Sequence, residues 1–529
     1  MIGLARSETP NGQRNGMEPE ARTEGPLNSG VKRVSKRPWI KKILLACVGL
    51  SLALLAPALR ANPDLLDQVK EITLSNGMRF LLLRRPGAPV FTAYIQVKVG
   101  GVDEQEGQTG IAHLLEHMAF KGTSEIGTTD FAAEKKLLDQ IESLHAELLQ
   151  AQGPRHAALA KQFQSLLAEA GRFVVKEEFS KIYLRNGGAD LNATTSQDLT
   201  SYFVQLPNTK LRLWAFLESS RLQDPVFREF YTERDVVREE RRTRIDDSPF
   251  GKLYEAMMAL SFEKSPYRRP TIGYTADLQK LSASDLKKFY EKYYVPSNMV
   301  GAVVGDIDLN ETQKILEEYF GKIPAAGAPP KLEVSEPEPT QEKRVEVPFD
   351  AAPALMTGYF KPTMPHPDDY VFDVLDQVLC EGRTSRLYKR LVLQDRLVQN
   401  IGCSASAPGS RLDNMFFVYA SILPGHSPDE VLKAIEDEIN RVVREGVDRD
   451  ELKKAKKNLV ASWNYEMQSN DEAAQLLSYF EAVAGSWRYV LDHPHRIQAV
   501  DSQDLQRVAK KYLRPERRRT AILKPTKKS

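Results

Sequence analysis

The chain has 529 residues, with 73 Lys and Arg against 71 Asp and Glu and a formal net charge of +2 at pH 7. That length exceeds one ordinary hydrophobic core, so more than one domain is expected, and three cysteines exclude a disulfide-framework scaffold. Residues 1–58 hold nine Lys and Arg and four Glu, which leaves the rest at −3, so no basic surplus remains for nucleic-acid contact.

The first 61 residues read as a leader and signal peptide. Lys32-Arg33, Lys36-Arg37 and Lys41-Lys42 precede an apolar run from Ile43 to Leu59 that is interrupted by Pro57 and followed by small residues. This predicts export, to the periplasm or beyond; the alternative is a membrane anchor retained at this segment, which would be the only membrane contact.

Gly110 to Thr123 contains His113, Glu116 and His117 in the pattern H-x-x-E-H. On a helix the two histidines fall about 40° apart and the glutamate about 60° to the other side, so all three share one face while Leu114 and Leu115 turn to a core. Two imidazoles at i, i+4 can bind one zinc ion, and an adjacent carboxylate can take a proton from water at the metal. A third ligand is then needed from elsewhere.

From Phe131 to about Phe179, Leu137, Ile141, Leu144 and Leu148 recur at helical spacing, and a break at Gly153-Pro154 precedes Phe163, Leu166 and Leu167. This predicts a helical hairpin inserted in the first domain, over about 131–179. His145 and His156 lack ligand spacing and are expected at the surface.

In Phe230 to Arg242, Glu233 and Glu240 stand seven apart and return to one helix face, whereas Glu239 points about 100° away. Glu240 is therefore assigned as third ligand. Glu233 is assigned to its support, orienting a histidine or the attacking water, and joins Glu116 in the candidate catalytic set.

Residues 331–345 lie in a Pro-rich stretch without hydrophobic periodicity and are read as a linker. The chain repeats itself across it. Asp285-Leu286 and Lys292 to Pro296 recur as Asp504-Leu505 and Lys511 to Pro515, and Leu114 to Gly122 aligns with Val374 to Gly382. In that second copy His113, Glu116 and His117 become Asp373, Asp376 and Gln377, which cannot build the same zinc site. The expected fold class is α+β: two homologous domains, 62–330 and 346–529, each of mixed sheet plus helices, facing each other as a clamshell. Cys380 and Cys403 are expected to be buried free thiols. His366, His426, His493 and His495 stand beside Pro or Gly in apparent loops.

His-Leu-Leu-Glu-His followed by Met-Ala-Phe-Lys-Gly-Thr, Asn192-Ala-Thr-Thr195, and Glu233 to Glu240 together resemble the inverzincin metallopeptidases of the pitrilysin, insulin-degrading and mitochondrial-processing type, close to their bacterial processing-peptidase-like members. The resemblance implies a zinc metalloendopeptidase with one Zn2+ per chain, bound by His113, His117 and Glu240, acting on extended or unfolded polypeptides. It places Asn192 and Ala193 at a substrate-binding edge strand, where a peptide adds by main-chain hydrogen bonds. Two departures stand out. The interval from His117 to Glu240 is longer than is usual in the family. The arginine and tyrosine that such proteins carry in the second domain align here with Val392 and Gln399. The resemblance therefore implies a homologous zinc-less partner subunit that supplies that pair. A non-catalytic assembly or chaperone-like subunit of the same fold is the competing expectation.

Overall fold

A computed structural model describes residues 68–526. The leader and signal segment read in the sequence lie outside the described residues. The fold is α+β and contains two mixed sheets, the class expected.

The first sheet consists of β1 (Lys70–Thr73), β2 (Arg79–Arg84), β3 (Val90–Val97), β4 (Ala189–Thr195), β5 (Thr200–Pro207) and β6 (Met299–Gly305), in the order β1-β2-β6-β3-β5-β4. The second consists of β7 (Lys343–Phe349), β8 (Ala354–Lys361), β9 (Val398–Ala407), β10 (Asn414–Ile422) and β11 (Arg518–Pro525), in the order β7-β11-β8-β10-β9. β2 pairs parallel with β6, and β7 with β11; every other neighbouring pair is antiparallel. Without β1 the two sheets therefore share one strand order and one pattern of directions. β6 and β8 are buried along their whole length, which explains the continuous apolar run of β6. β4 and β9 occupy corresponding outer edges.

Helix α1 (Ile111–Met118) carries the histidine motif. Next come α2 (Phe131–Gln150) and α3 (Gly153–Ala170), packed against each other. Asp130 caps α2 by accepting from Ala133 N, and Pro154 sits in the first turn of α3, where its missing N–H has no partner to lose. Ile141, Leu144 and Phe163 enter the core under the first sheet. His145, expected at the surface, is instead buried with its ring 4.5 Å from Tyr231 and 5.8 Å from Phe163. It occupies the apolar face of α2 that packs toward the domain. His156 is exposed.

Helix α4 (Phe230–Arg241) faces α1, and α5 (Pro249–Ser261) follows it. In the second half, α6 (Pro367–Leu379) is succeeded by α7 (Arg449–Glu466), α8 (Asn470–Val483) and α9 (Tyr489–Ala499).

The halves exchange helices. α5, from the first half, lies on β7 and β11 of the second sheet, and α8, from the second, lies on β3 and β6 of the first. Leu253, Met257, Phe262 and Tyr267 pack with Met356, Phe360 and Met415 in a core shared by both halves. Polar contacts pin the other crossing: Gln96 Nε2 donates to Ser478 Oγ at 3.2 Å, and Tyr94 OH to Asp471 Oδ1 at 3.0 Å.

Two further expectations are corrected. Cys380 and Cys403 form a disulfide with their Cα atoms 5.7 Å apart, because the end of α6 lies directly over edge strand β9. His493-Pro494-His495 is inside α9, not in a loop; His493 is buried, stacks on Trp463 at 4.0 Å and reaches Asp373 at 3.2 Å. His366 likewise has a structural task, accepting from Asp368 N at the start of α6. Among the described residues no helix is long and apolar enough to cross a membrane.

Candidate active site

The site begins at α1. Glu104 accepts from Gly110 N at 2.9 Å and Ala112 N at 3.0 Å, satisfying two of the donors that a helix leaves open at its start. Leu114 and Leu115 are buried in the core, which turns His113, Glu116 and His117 toward α4 and β4.

His113, His117 and Glu240 come together, with one donor atom from each lying within 4.8 Å of the others. His113 Nε2 is 3.8 Å from Glu240 Oε1, and His117 Nε2 is 3.4 Å from Glu240 Oε2. The two rings are 4.7 Å apart at 77°, so their nitrogens converge rather than stack. Glu233 Oε1 is 2.9 Å from His117 Nδ1 and accepts its proton in the tautomer that frees Nε2. Lys121 Nζ lies 2.6 Å from Glu233 Oε2. Glu239, adjacent in sequence to Glu240, is exposed and bonds Arg242 instead.

Burial pulls the His113 imidazolium down to about 4, with the neighbouring His117 adding to the effect. Burial also disfavours charge on His117, but its bonds to Glu233 and Glu240 outweigh that and raise it to about 9. Glu233 is held near 2: burial opposes its charge, and His117 and Lys121 more than compensate. Glu116 is raised by burial, against a hydrogen bond from Thr195 Oγ1 to Oε2 at 2.5 Å.

The donor set suits zinc. Two imidazole nitrogens and a carboxylate are the ligands such an ion takes in catalytic sites, although Glu240 is also paired with Arg244 at 2.8 Å, a contact that a metal has to compete with. His113 Nδ1 is buried with no acceptor among the described residues; with the proton there, Nε2 keeps its lone pair for a metal.

β4 is the edge strand beside α1. Asn192 is exposed and Ala193 buried, since successive residues of a strand face opposite ways. Thr195, two residues beyond Ala193, shares its face and meets Glu116. Nothing in the Asn192 to Thr195 motif by itself assigns Thr195 a role; period-two alternation from Ala193 is the signal that points it toward the helix.

The stretch aligned with the arginine and tyrosine of related proteins does not supply them. Val392 is partly buried against the second core, and Gln399 is exposed. Arg390 is committed to Asp437 at 3.1 Å and Glu438 at 3.3 Å within its own half.

The chain is thus a paired-sheet α+β protein with a His, His, Glu cluster beside an edge strand. Two models of one family match the chain: "Insulinase (Peptidase family M16)" over residues 79–141 and "Peptidase M16 inactive domain" over 280–459. The second match covers α6, where Asp373, Asp376 and Gln377 stand in place of the motif. The zinc protease PqqE of Helicobacter pylori is 28% identical over 498 residues, covering 92% of this chain and 99% of that protein. The mitochondrial-processing peptidase subunit beta of Lentinula edodes is 22% identical over 460 residues, 83% of this chain and 86% of that one. The crystal structure of a protease from Helicobacter pylori superposes with a TM-score of 0.74 at 26% identity, over 86% of this chain and 99% of the other.

Proposed function

We propose that this chain is a zinc-dependent endopeptidase that hydrolyses extended or unfolded polypeptides. The observation that carries the reading is the convergence of His113, His117 and Glu240 within 4.8 Å, with Glu116 on the same helix face. Zinc, when bound by those three, supplies Lewis acidity that makes water more acidic and polarises the scissile carbonyl.

The residues of the chain do the rest. Glu116 takes a proton from water as its oxygen attacks the carbonyl carbon, then delivers that proton to the amide nitrogen as the C–N bond breaks. Its raised proton affinity suits both halves of this exchange. Thr195 holds Glu116 in place, and Glu233 fixes the His117 tautomer. Substrate backbone adds to the free edge of β4 along Asn192 and Ala193, a mode that reads main chain rather than side chains.

Val392 and Gln399 offer no equivalent of the absent arginine and tyrosine, and the loss of one oxyanion donor costs about 10² to 10³ in rate. We infer that a homologous zinc-less chain completes the site, making this the zinc subunit of a heterodimer. The leader supports an exported protein, and a disulfide at Cys380–Cys403 is in keeping with an oxidising compartment.

The test is to measure zinc content and peptidase activity of the purified chain, alone and mixed with a homologous exported chain lacking H-x-x-E-H. About one zinc per chain, activity on an unfolded peptide that rises on mixing, and its loss in Glu116→Gln with zinc retained are expected. A metal-free wild type or a fully active Glu116→Gln overturns the peptidase reading; full activity alone, unchanged on mixing, overturns the heterodimer.

A further inference from the structure

The helical hairpin lengthens the chain between the histidines and Glu240, and its first helix reaches the support of that cluster. Glu134, in the first turn of α2 and fully buried, accepts from Arg228 Nε at 2.9 Å and Nη2 at 3.3 Å. Arg228 is 1% exposed. Its remaining contacts go to three backbone carbonyls: Nη1 to Lys121 O at 2.5 Å and Ile126 O at 3.0 Å, and Nη2 to Thr123 O at 2.6 Å.

Those carbonyls belong to the turn by which the chain leaves α1. The turn is shaped around the guanidinium: Gly122 and Gly127 hold φ near +90°, and a Cβ at Gly127 would stand 2.8 Å from Arg228 Nη1. Arg228 itself lies just before α4, the helix of Glu233 and Glu240. From the same turn Lys121 reaches Glu233, which holds His117. One buried cation thus joins the exit of the histidine helix to the entry of the carboxylate helix. A second tie reinforces it, Tyr231 OH donating to Glu142 Oε2 at 2.6 Å, on α2.

We propose that α2 braces the metal cluster, with Glu134 and Arg228 as positioning residues that set the spacing of His113 and His117 from Glu240. The proposal rests on the zinc reading above. A guanidinium whose fork is bonded on every side has a single orientation, so the two helix ends it touches cannot shift independently. Glu134 neutralises a charge that would otherwise be stranded in the core and would draw in water or displace the turn. Lysine at 228 retains the charge but has only three donors, too few for the three carbonyls and both Glu134 oxygens that the guanidinium bonds.

The test compares Arg228→Lys and Glu134→Gln with the wild type in the full chain, reading zinc affinity by chelator competition and the visible spectrum of the Co2+-substituted protein well below the melting temperature. Leu459→Ala, in the core of the second half, controls for lost stability. Both brace variants are expected to bind zinc about 10- to 100-fold more weakly, the range for residues that orient ligands, with altered cobalt bands and a fall in kcat at similar KM. Leu459→Ala is expected to lower Tm and leave zinc affinity alone. Should Arg228→Lys fail to fold, Glu134→Gln decides, because it keeps the shape and a carbonyl acceptor. Unchanged zinc affinity and cobalt spectrum overturn the brace, and so does an equal loss of affinity in Leu459→Ala. A wild type that binds no zinc removes the peptidase reading instead, a distinct result.

Discussion

Thr195, on the edge strand of the first sheet, donates its hydroxyl to the Glu116 carboxylate at 2.5 Å, 79 positions away in the chain. The bond favours the ionised form of a group that burial pushes the other way. Removing it in Thr195→Val therefore raises the proton affinity of Glu116 further. The acidic limb of the kcat/KM profile should move to higher pH, and activity near neutrality should fall about tenfold, the worth of one hydrogen bond to a charged group. A limb that stays in place would show that Thr195 does not act through Glu116.

Neighbouring glutamates on α4 should differ sharply. Glu240→Gln is expected to abolish tight zinc binding, whereas Glu239→Gln, which loses only an exposed contact to Arg242, should leave it within experimental error. Glu233→Gln should fall between, weaker by about 10- to 100-fold. Isothermal titration with zinc separates the three.

Zinc binding should release one proton per ion near neutral pH. In the metal-free site His117 is raised to about 9 by Glu233 and Glu240 despite its burial, so it is protonated at pH 7 and a metal must displace that proton. His113, lowered to about 4 by burial, is already neutral and adds none. Apparent affinity should therefore rise about tenfold per pH unit between pH 6 and 8 and level off above 9. A hundredfold rise per unit would indicate that both imidazoles start protonated.

The Cys380–Cys403 bond closes a loop of sequence separation 23 and ties α6 to β9. Replacing both cysteines by serine should cost roughly 3 kcal/mol of stability, measured by denaturant unfolding under oxidising conditions. Alkylation of the unreduced protein after removal of the leader should label no cysteine; two labelled thiols would restore the sequence-based expectation of free cysteines.

The helix-borne part of the site is legible in the sequence, and for a local reason. Positions i, i+3 and i+4 share a helix face whatever the rest of the chain does, so His113, Glu116 and His117 group together, and the 100° between Glu239 and Glu240 separates them without knowledge of their neighbours. The duplication is legible likewise, since two copies of one topology retain recognisable turns such as Lys292 to Pro296 and Lys511 to Pro515.

What depends on tertiary packing has no such local period. Thr195 meeting Glu116, Arg228 meeting Glu134, Cys380 meeting Cys403 and the burial of His145 and His493 all join residues from different elements, and the order of strands and the exchange of α5 and α8 decide which elements touch. An isolated cysteine or histidine carries no mark of its eventual neighbour. Periodicity along one element reports which way a side chain faces, but its partner is chosen only when the apolar faces of distant segments are buried together.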